Sequence, residues 1–242
     1  MMLAGIGPAH SLKLCARTAL VRMRLPYANR MIPTCPSKCM RVAMIGSGYV
    51  GLVSGACFAD FGHRVVCVDK DAGRIASLTK GELPIYEPGL PELVARNAAQ
   101  GRLSFSTDLK GAVGEADAVF IAVGTPSRRG DGHADLTYVH EAAREIAKAL
   151  THYTIVVTKS TVPVGTGDDV ERIIRETRPD AQFAVVSNPE FLREGAAIRD
   201  FKHPDRIVVG TDNARARAVL AEVYRSISTP HRSSMSAGAP PS

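Results

Sequence analysis

Gly46-Ser47-Gly48-Tyr49-Val50-Gly51 has the residue types and spacing of a loop that handles phosphate. It follows the apolar run at 42–45 and opens a stretch of helical spacing at Tyr49, the strand–turn–helix context that a dinucleotide fingerprint requires. In that context Gly46 allows the tight turn, Gly48 lets the backbone approach a pyrophosphate, and Gly51 lets helix and strand pack closely. The unpaired N–H groups and the dipole of the helix start then face the phosphates. The bland alternative is an ordinary glycine turn. Asp69 weighs against it. This acid ends the next apolar run, 65–68, eighteen residues beyond Gly51, close to the roughly 20 expected of a ribose-binding carboxylate. A carboxylate there accepts hydrogen bonds from both ribose hydroxyls and repels a 2′-phosphate, which favours NAD over NADP. Arg74 lies five residues further on, and an Arg nearby can accommodate a 2′-phosphate.

The elements that must position these residues alternate. Residues 42–45, 65–68, 103–105, 118–123, 154–158, 183–186 and 207–209 read as strands. Residues 49–61, 72–80, 92–99, 136–150, 167–177 and 214–227 have helical spacing, with Pro/Gly-rich 84–91 and polar 124–135 as connections. The run at 118–123 has no polar side chain, which suits a strand covered on both faces. The expected fold class is therefore α/β, a Rossmann-type doubly wound, mostly parallel sheet with helices on both faces. Ligands of such sheets sit at the carboxyl ends of the strands.

Several further segments exceed a generic dinucleotide-binding pattern: Ile85-Tyr86-Glu87-Pro88-Gly89-Leu90, Gly124-Thr125-Pro126, Lys159-Ser160-Thr161-Val162-Pro163-Val164-Gly165, Ser187-Asn188-Pro189-Glu190-Phe191-Leu192-Arg193-Glu194-Gly195 and His203-Pro204-Asp205-Arg206. In order and spacing they resemble the amino-terminal, NAD-binding half of the UDP-glucose 6-dehydrogenase family, from Met40 to about Tyr224. The resemblance implies cofactor contacts at Asp69, Arg74, Val50, Thr125, Thr161 and Glu194. It implies that Thr161 helps hold a catalytic water and that Glu190 is the general base when water opens a thioester. It places the UDP-sugar against Glu190, Phe191, Leu192, Arg193 and Glu194. Duller roles compete. Thr161 could cap the turn after its strand, Glu190 could be a solvated loop acid, and Thr125 could serve its turn alone. Tyr86 and Glu87 read as packing and turn residues, outside the site.

The same resemblance exposes what is missing. The family oxidises an alcohol to an aldehyde and then to an acid with two NAD, and the second step needs a cysteine thiolate. Its cysteine, lysine and asparagine lie beyond the point matched by this chain, and no cysteine follows Cys67. Cys57 and Cys67 are expected on the first helix and second strand, beside the adenosine half and away from Glu190. After about Tyr224 the likeness fades, and the ending reads as truncated or frame-shifted, without the family's dimer-forming central helix. The expected activity is NAD-dependent oxidation of UDP-glucose to UDP-glucuronate by family, with the isolated chain inactive. The alternatives are an NAD-binding module without turnover, or a fragment of a related GDP-mannose or UDP-N-acetylhexosamine dehydrogenase.

Composition bounds the rest. The chain has 242 residues, 45% hydrophobic and 22% charged, values that suit a soluble globular protein. Six of its thirty cations lie in residues 1–40, which hold no acid; the remainder balances at twenty-four against twenty-four. The formal +6 therefore belongs to a leader, and no aromatic-rich basic motif accompanies it, so a nucleic-acid partner is not expected. No apolar run approaches the ~20 residues that span a bilayer, so no membrane role is expected. Five cysteines, an odd count, suit a reducing compartment, and a cytoplasmic location is expected. Cys35 and Cys39 lack a second Cys/His pair, so no metal site is expected. The expected division is a leader at 1–39, disordered or preceding a natural start at Met40, an NAD-binding domain at 40–227, and a disordered tail at 228–242. The family forms homo-oligomers.

Overall fold

The structure, a computed structural model, describes residues 20–22, 39–126 and 134–227. An edge strand β1 (Leu20–Arg22) precedes the fingerprint strand β2 (Arg41–Ile45) and helix α1 (Tyr49–Asp60). Then come β3 (Arg64–Val68), α2 (Ala72–Thr79), α3 (Leu90–Ala99), β4 (Leu103–Ser106), α4 (Leu109–Glu115), β5 (Ala118–Ile121) and α5 (Thr137–Ala149). The chain continues through β6 (Thr154–Thr158), α6 (Thr166–Thr177), β7 (Phe183–Ser187), α7 (Ala197–Lys202), β8 (Val208–Gly210) and α8 (Ala214–Val223). The expected tail and most of the expected leader lie outside the described residues.

The strands form one sheet in the order β1-β8-β7-β6-β5-β2-β3-β4. Strands β2 to β7 are parallel throughout. Their order is that of the doubly wound dinucleotide fold, and the chain reverses its direction of travel between β2 and β5. That reversal opens a crevice at the carboxyl ends of these two strands.

Burial explains why the sheet needs two helical layers. Successive side chains of a strand point to opposite faces. Val42, Met44, Phe120 and Val157 join one core, with Leu52, Phe58, Leu93 and Leu220 from the helices. Ala43, Ile45, Val119, Ile121 and Val156 join the other, with Val139, Ile146, Val170 and Ile174. No helix among the described residues is long and apolar enough to cross a membrane.

Four features differ from the sequence reading. Helices α4 and α7 are absent from it, because seven and six residues are too few to show a 3.6-residue period. Helix α4 depends on a local cap instead: Asp108 accepts from the Gly111 N–H at 2.9 Å. Helix α3 starts at Leu90 rather than Glu92, with Pro91 in its first turn, where a missing N–H costs nothing. Strand β8 runs antiparallel to β7, which brings the segment before it to the same end of the sheet as the carboxyl ends of β5, β6 and β7. Lastly, Leu20–Arg22 of the leader pairs with Val208–Gly210, where no strand was expected.

Candidate functional site

The three fingerprint glycines are required for different reasons. Gly46 has φ +103°, and a Cβ there would meet the Ala122 carbonyl oxygen at 2.7 Å. A Cβ on Gly51 would lie 1.9 Å from the Gly46 carbonyl oxygen. The fold itself therefore demands both. Gly48 is different: its φ is an ordinary −72°, and a Cβ would meet nothing within 4 Å. The protein leaves open space over Gly48, at the start of a twelve-residue helix whose first N–H groups are unpaired. A dinucleotide pyrophosphate fits that space, and a bare backbone lets it approach.

Asp69 stands beside this loop. Its Oδ2 accepts from the Ser47 N–H at 3.0 Å and the Ser47 hydroxyl at 2.7 Å, and from Arg74 at 3.2 Å. Among the described residues, its Oδ1 accepts only from the Asp71 N–H, at 3.1 Å. Burial raises the carboxyl pKa, but the Ser47, Asp71 and Arg74 contacts outweigh it and the net shift is downward. The group is an anion with acceptor capacity left on Oδ1, as a ribose diol requires. Arg74 is bound to Asp69 itself, which the sequence reading did not foresee.

Across the crevice, the ends of β5 and β6 are stitched together. The Ser160 hydroxyl donates to the Val123 carbonyl at 2.8 Å, and Thr125 donates to the Thr161 carbonyl at 3.4 Å. Thr125 is half-buried and Thr161 exposed. Val50, half-buried, packs on the core beneath the loop.

Beyond β6 and β7 lies a cleft of about 630 Å³, lined among others by Lys159, Asn188, Glu190, Arg193, Arg206 and Tyr224. It contains all of 190–193 but not Glu194. Half-buried Glu190 accepts from the Leu192 N–H, which curls the loop back on itself. Phe191 is exposed, with Arg206 stacked 5.2 Å from its ring centroid. Leu192 packs against the core. Arg193 is held by Asp200 through Nε at 2.9 Å and a terminal nitrogen at 2.6 Å. Exposed Glu194 follows.

Three residues here were not singled out from sequence. Lys159 is buried, with Nζ 3.2 Å from the Tyr224 hydroxyl and 3.4 Å from Asn188 Oδ1. Burial lowers its ammonium to about 8, against the opposing influence of Glu190 and Cys57. Tyr224 donates to Asn188 Oδ1 at 2.5 Å, and its ring meets Phe58 at 5.3 Å. Glu87 was read as a turn residue, yet only 2% of it is exposed. Its carboxylate accepts from Tyr49 at 2.6 Å and from the Gly195 and Ala197 N–H groups at 2.8 Å each. The sequence signal was an acid inside a Pro/Gly-rich connection, indistinguishable there from a solvated one. Tyr86, its neighbour, is 87% exposed.

Cys57 and Cys67 sit on α1 and β3 as expected, and both are fully buried. Burial raises each thiol to about 12. Cys57 is less remote than expected, since its charged form would interact with Lys159 and Glu87.

Residues 40–228 match the model of the UDP-glucose/GDP-mannose dehydrogenase family, NAD binding domain. The chain belongs to this family. Its cofactor is NAD, and the open face of Gly48 beside Asp69 fits that group. The family domain is 72% identical over 188 residues to the UDP-glucose 6-dehydrogenase of Rhizobium meliloti, covering 77% of this chain and 43% of that protein. It is 48% identical over 191 residues to Bacillus subtilis TuaD, a UDP-glucose 6-dehydrogenase, covering 78% and 41%. Among solved structures, a UDP-glucose dehydrogenase from Pyrobaculum islandicum superposes with TM-score 0.78 at 44% identity, over 83% of this chain and 47% of that one. A GDP-mannose dehydrogenase from Pseudomonas aeruginosa gives 0.76 at 39%, over 79% and 45%. The chain thus spans less than half the length of the relatives it matches.

Proposed function

We propose that these residues are the cofactor half of an NAD-dependent UDP-glucose 6-dehydrogenase, which makes UDP-glucuronate. The observation that carries the reading is the open face of Gly48, beside Asp69, at the same end of the sheet as the cleft of Glu190 and Lys159. A dinucleotide laid from Asp69 across Gly48 points its far end between Thr125 and Thr161, toward that cleft. Identity of 72% to a UDP-glucose 6-dehydrogenase favours UDP-glucose as the sugar nucleotide.

Bound NAD would accept hydride from the sugar alcohol. The chain's own residues do the rest of the holding. The start of α1 faces the phosphates, Asp69 Oδ1 takes the ribose, and the 190–194 loop meets the nucleotide sugar. Thr161 and Glu190 hold a water on the cleft side. Acid formation needs a thiolate at the reacting carbon; thiols raised to about 12 in the core do not supply one, and exposed Cys39 precedes β2, at the sheet end opposite the cleft. We infer that the nucleophile comes from residues outside those described, and that the chain alone binds NAD without completing the oxidation. The proposed setting is cytoplasmic; the family forms homo-oligomers through a central helix that the residues matched here do not include.

The test is NADH absorbance with UDP-glucose in excess, and GDP-mannose as the comparison sugar. No sustained turnover is expected from the chain alone. Addition of the part of the Rhizobium meliloti relative that lies outside the match should restore it with UDP-glucose, giving two NADH per sugar. Preferred use of GDP-mannose would overturn the assignment of the sugar. Two NADH per sugar from the chain alone would make one of this chain's own cysteines the nucleophile.

A further inference from the structure

We propose that Glu87 is a positioning residue that couples the NAD loop to the nucleotide-sugar loop through Tyr49; this rests on the function proposed above. The geometry is a three-way junction. Tyr49 lies between Gly48 and Val50, in the first turn of α1, so its backbone moves with the pyrophosphate-binding turn. Its hydroxyl leaves that turn and donates to Glu87 Oε2 at 2.6 Å. The same oxygen accepts from the Gly195 N–H, and Oε1 accepts from the Ala197 N–H, each at 2.8 Å. Both N–H groups belong to the segment directly after Glu194. Gly195 takes φ +83°, with nothing within 4 Å of a Cβ position. Its left-handed conformation serves the turn that aims this N–H at Glu87.

Burying a carboxylate is expensive unless each lone pair finds a donor. Glu87 meets that demand with one hydroxyl and backbone N–H groups, and no Lys or Arg among the described residues bonds to it. Burial raises its pKa, but the Tyr49 hydroxyl and the N–H groups of Gly195, Ala197 and Ile198 bring it below the usual carboxylate value. An amide or an apolar side chain would cost less to bury. What the carboxylate adds is that one rigid group accepts from two segments 108 and 38 residues away in sequence. A shift of Tyr49 therefore changes the bonding of Gly195, and opening of the 193–197 loop changes that of Tyr49. Because the junction involves no proposed ligand atom, it can carry binding information without touching either ligand.

Hydrogen exchange on the full chain with saturating NAD reads this out. In the wild type, NAD should slow exchange at 46–56 and also at 191–200. In Tyr49→Phe, which keeps the ring, slowing at 46–56 should persist while slowing at 191–200 falls to half or less. Glu87→Gln should show the same loss if it folds, and Tyr49→Phe decides the matter if it does not. More than half the slowing retained at 191–200 in Tyr49→Phe overturns the coupling, as does wild-type slowing confined to 46–56. Absence of slowing anywhere would instead overturn NAD binding itself, and the coupling with it.

Discussion

Gly48→Ala and Gly51→Ala should separate what the fold needs from what the cofactor needs. At Gly51 the new Cβ would lie 1.9 Å from a backbone carbonyl oxygen, so α1 must move away from β2. Overpacking that shifts backbone typically costs about 1–3 kcal/mol, and so close a clash sits at the upper end, about 3 kcal/mol or roughly 6–12 °C in Tm for a domain of this size. At Gly48 nothing stands within 4 Å and φ is −72°, so alanine fits without strain. It gains about 0.4–1 kcal/mol by restricting the unfolded chain. It loses about 0.5–1 kcal/mol because alanine caps a helix worse than glycine. The two nearly cancel, leaving Tm within about 4 °C of wild type. Ligand response should invert this order of damage. NAD at a hundredfold over its Kd adds about 2.7 kcal/mol to the wild type, or roughly 5–11 °C. Gly48→Ala places a methyl where the pyrophosphate must approach and should lose most of that shift. The assay is thermal melting by circular dichroism, with and without NAD. A Gly48→Ala protein that melts like wild type and keeps its full NAD shift would refute the reasoning.

Asp69→Ala should weaken NAD by about 1–3 kcal/mol, the cost of losing a charged hydrogen-bond partner, and narrow its preference over NADP; calorimetric titration measures both. His63 accepts from the Met40 N–H at 3.3 Å and holds the Val223 carbonyl at 3.0 Å, which requires a neutral ring. Burial lowers its pKa despite Val223 and Glu222. Its contribution is therefore complete above the unfolded value of about 6.5 and is lost as pH falls toward the lower folded value, with a slope of at most about 1.4 kcal/mol per pH unit. Urea midpoints across that range should show this slope in wild type and a flatter one in His63→Gln; equal slopes would contradict it. Among the described residues, the chain shortened to begin at Met40 loses the three-residue pairing of β1 with β8. It should melt within roughly 5 °C of the full chain, and a larger drop would show that the leader supports the domain.

Much of the fold was legible because parallel sheets write themselves as alternating apolar runs and amphipathic stretches. Strands β2, β3, β5 and β6 were recognisable from runs without internal polar breaks, and α1, α5 and α6 from their spacing. What escaped notice was held by single contacts or by long-range pairing. Helix α4 depends on the Asp108 cap, and six-residue α7 is anchored at its start by Glu87. The direction of β8 depends on where the 188–207 excursion returns, which no local pattern encodes. At the site, spacing was enough to propose Asp69 and the glycines, and the fold brings them together around one loop. Lys159 and Glu87 could not be read, because a charge inside a motif says nothing of its burial. The glycine run also concealed a distinction: only the three-dimensional surroundings show that the backbone demands Gly46 and Gly51 but leaves open space over Gly48.

NAD titration against the full chain by calorimetry, with NADP as the comparison, tests the central claim most directly. The Gly48 opening and the anionic Asp69, with Oδ1 able to accept a ribose, predict saturable NAD binding. They predict that it is at least about 1.4 kcal/mol, or tenfold, tighter than binding of NADP. Equal affinity for the two, or no saturable binding of NAD, would contradict the account.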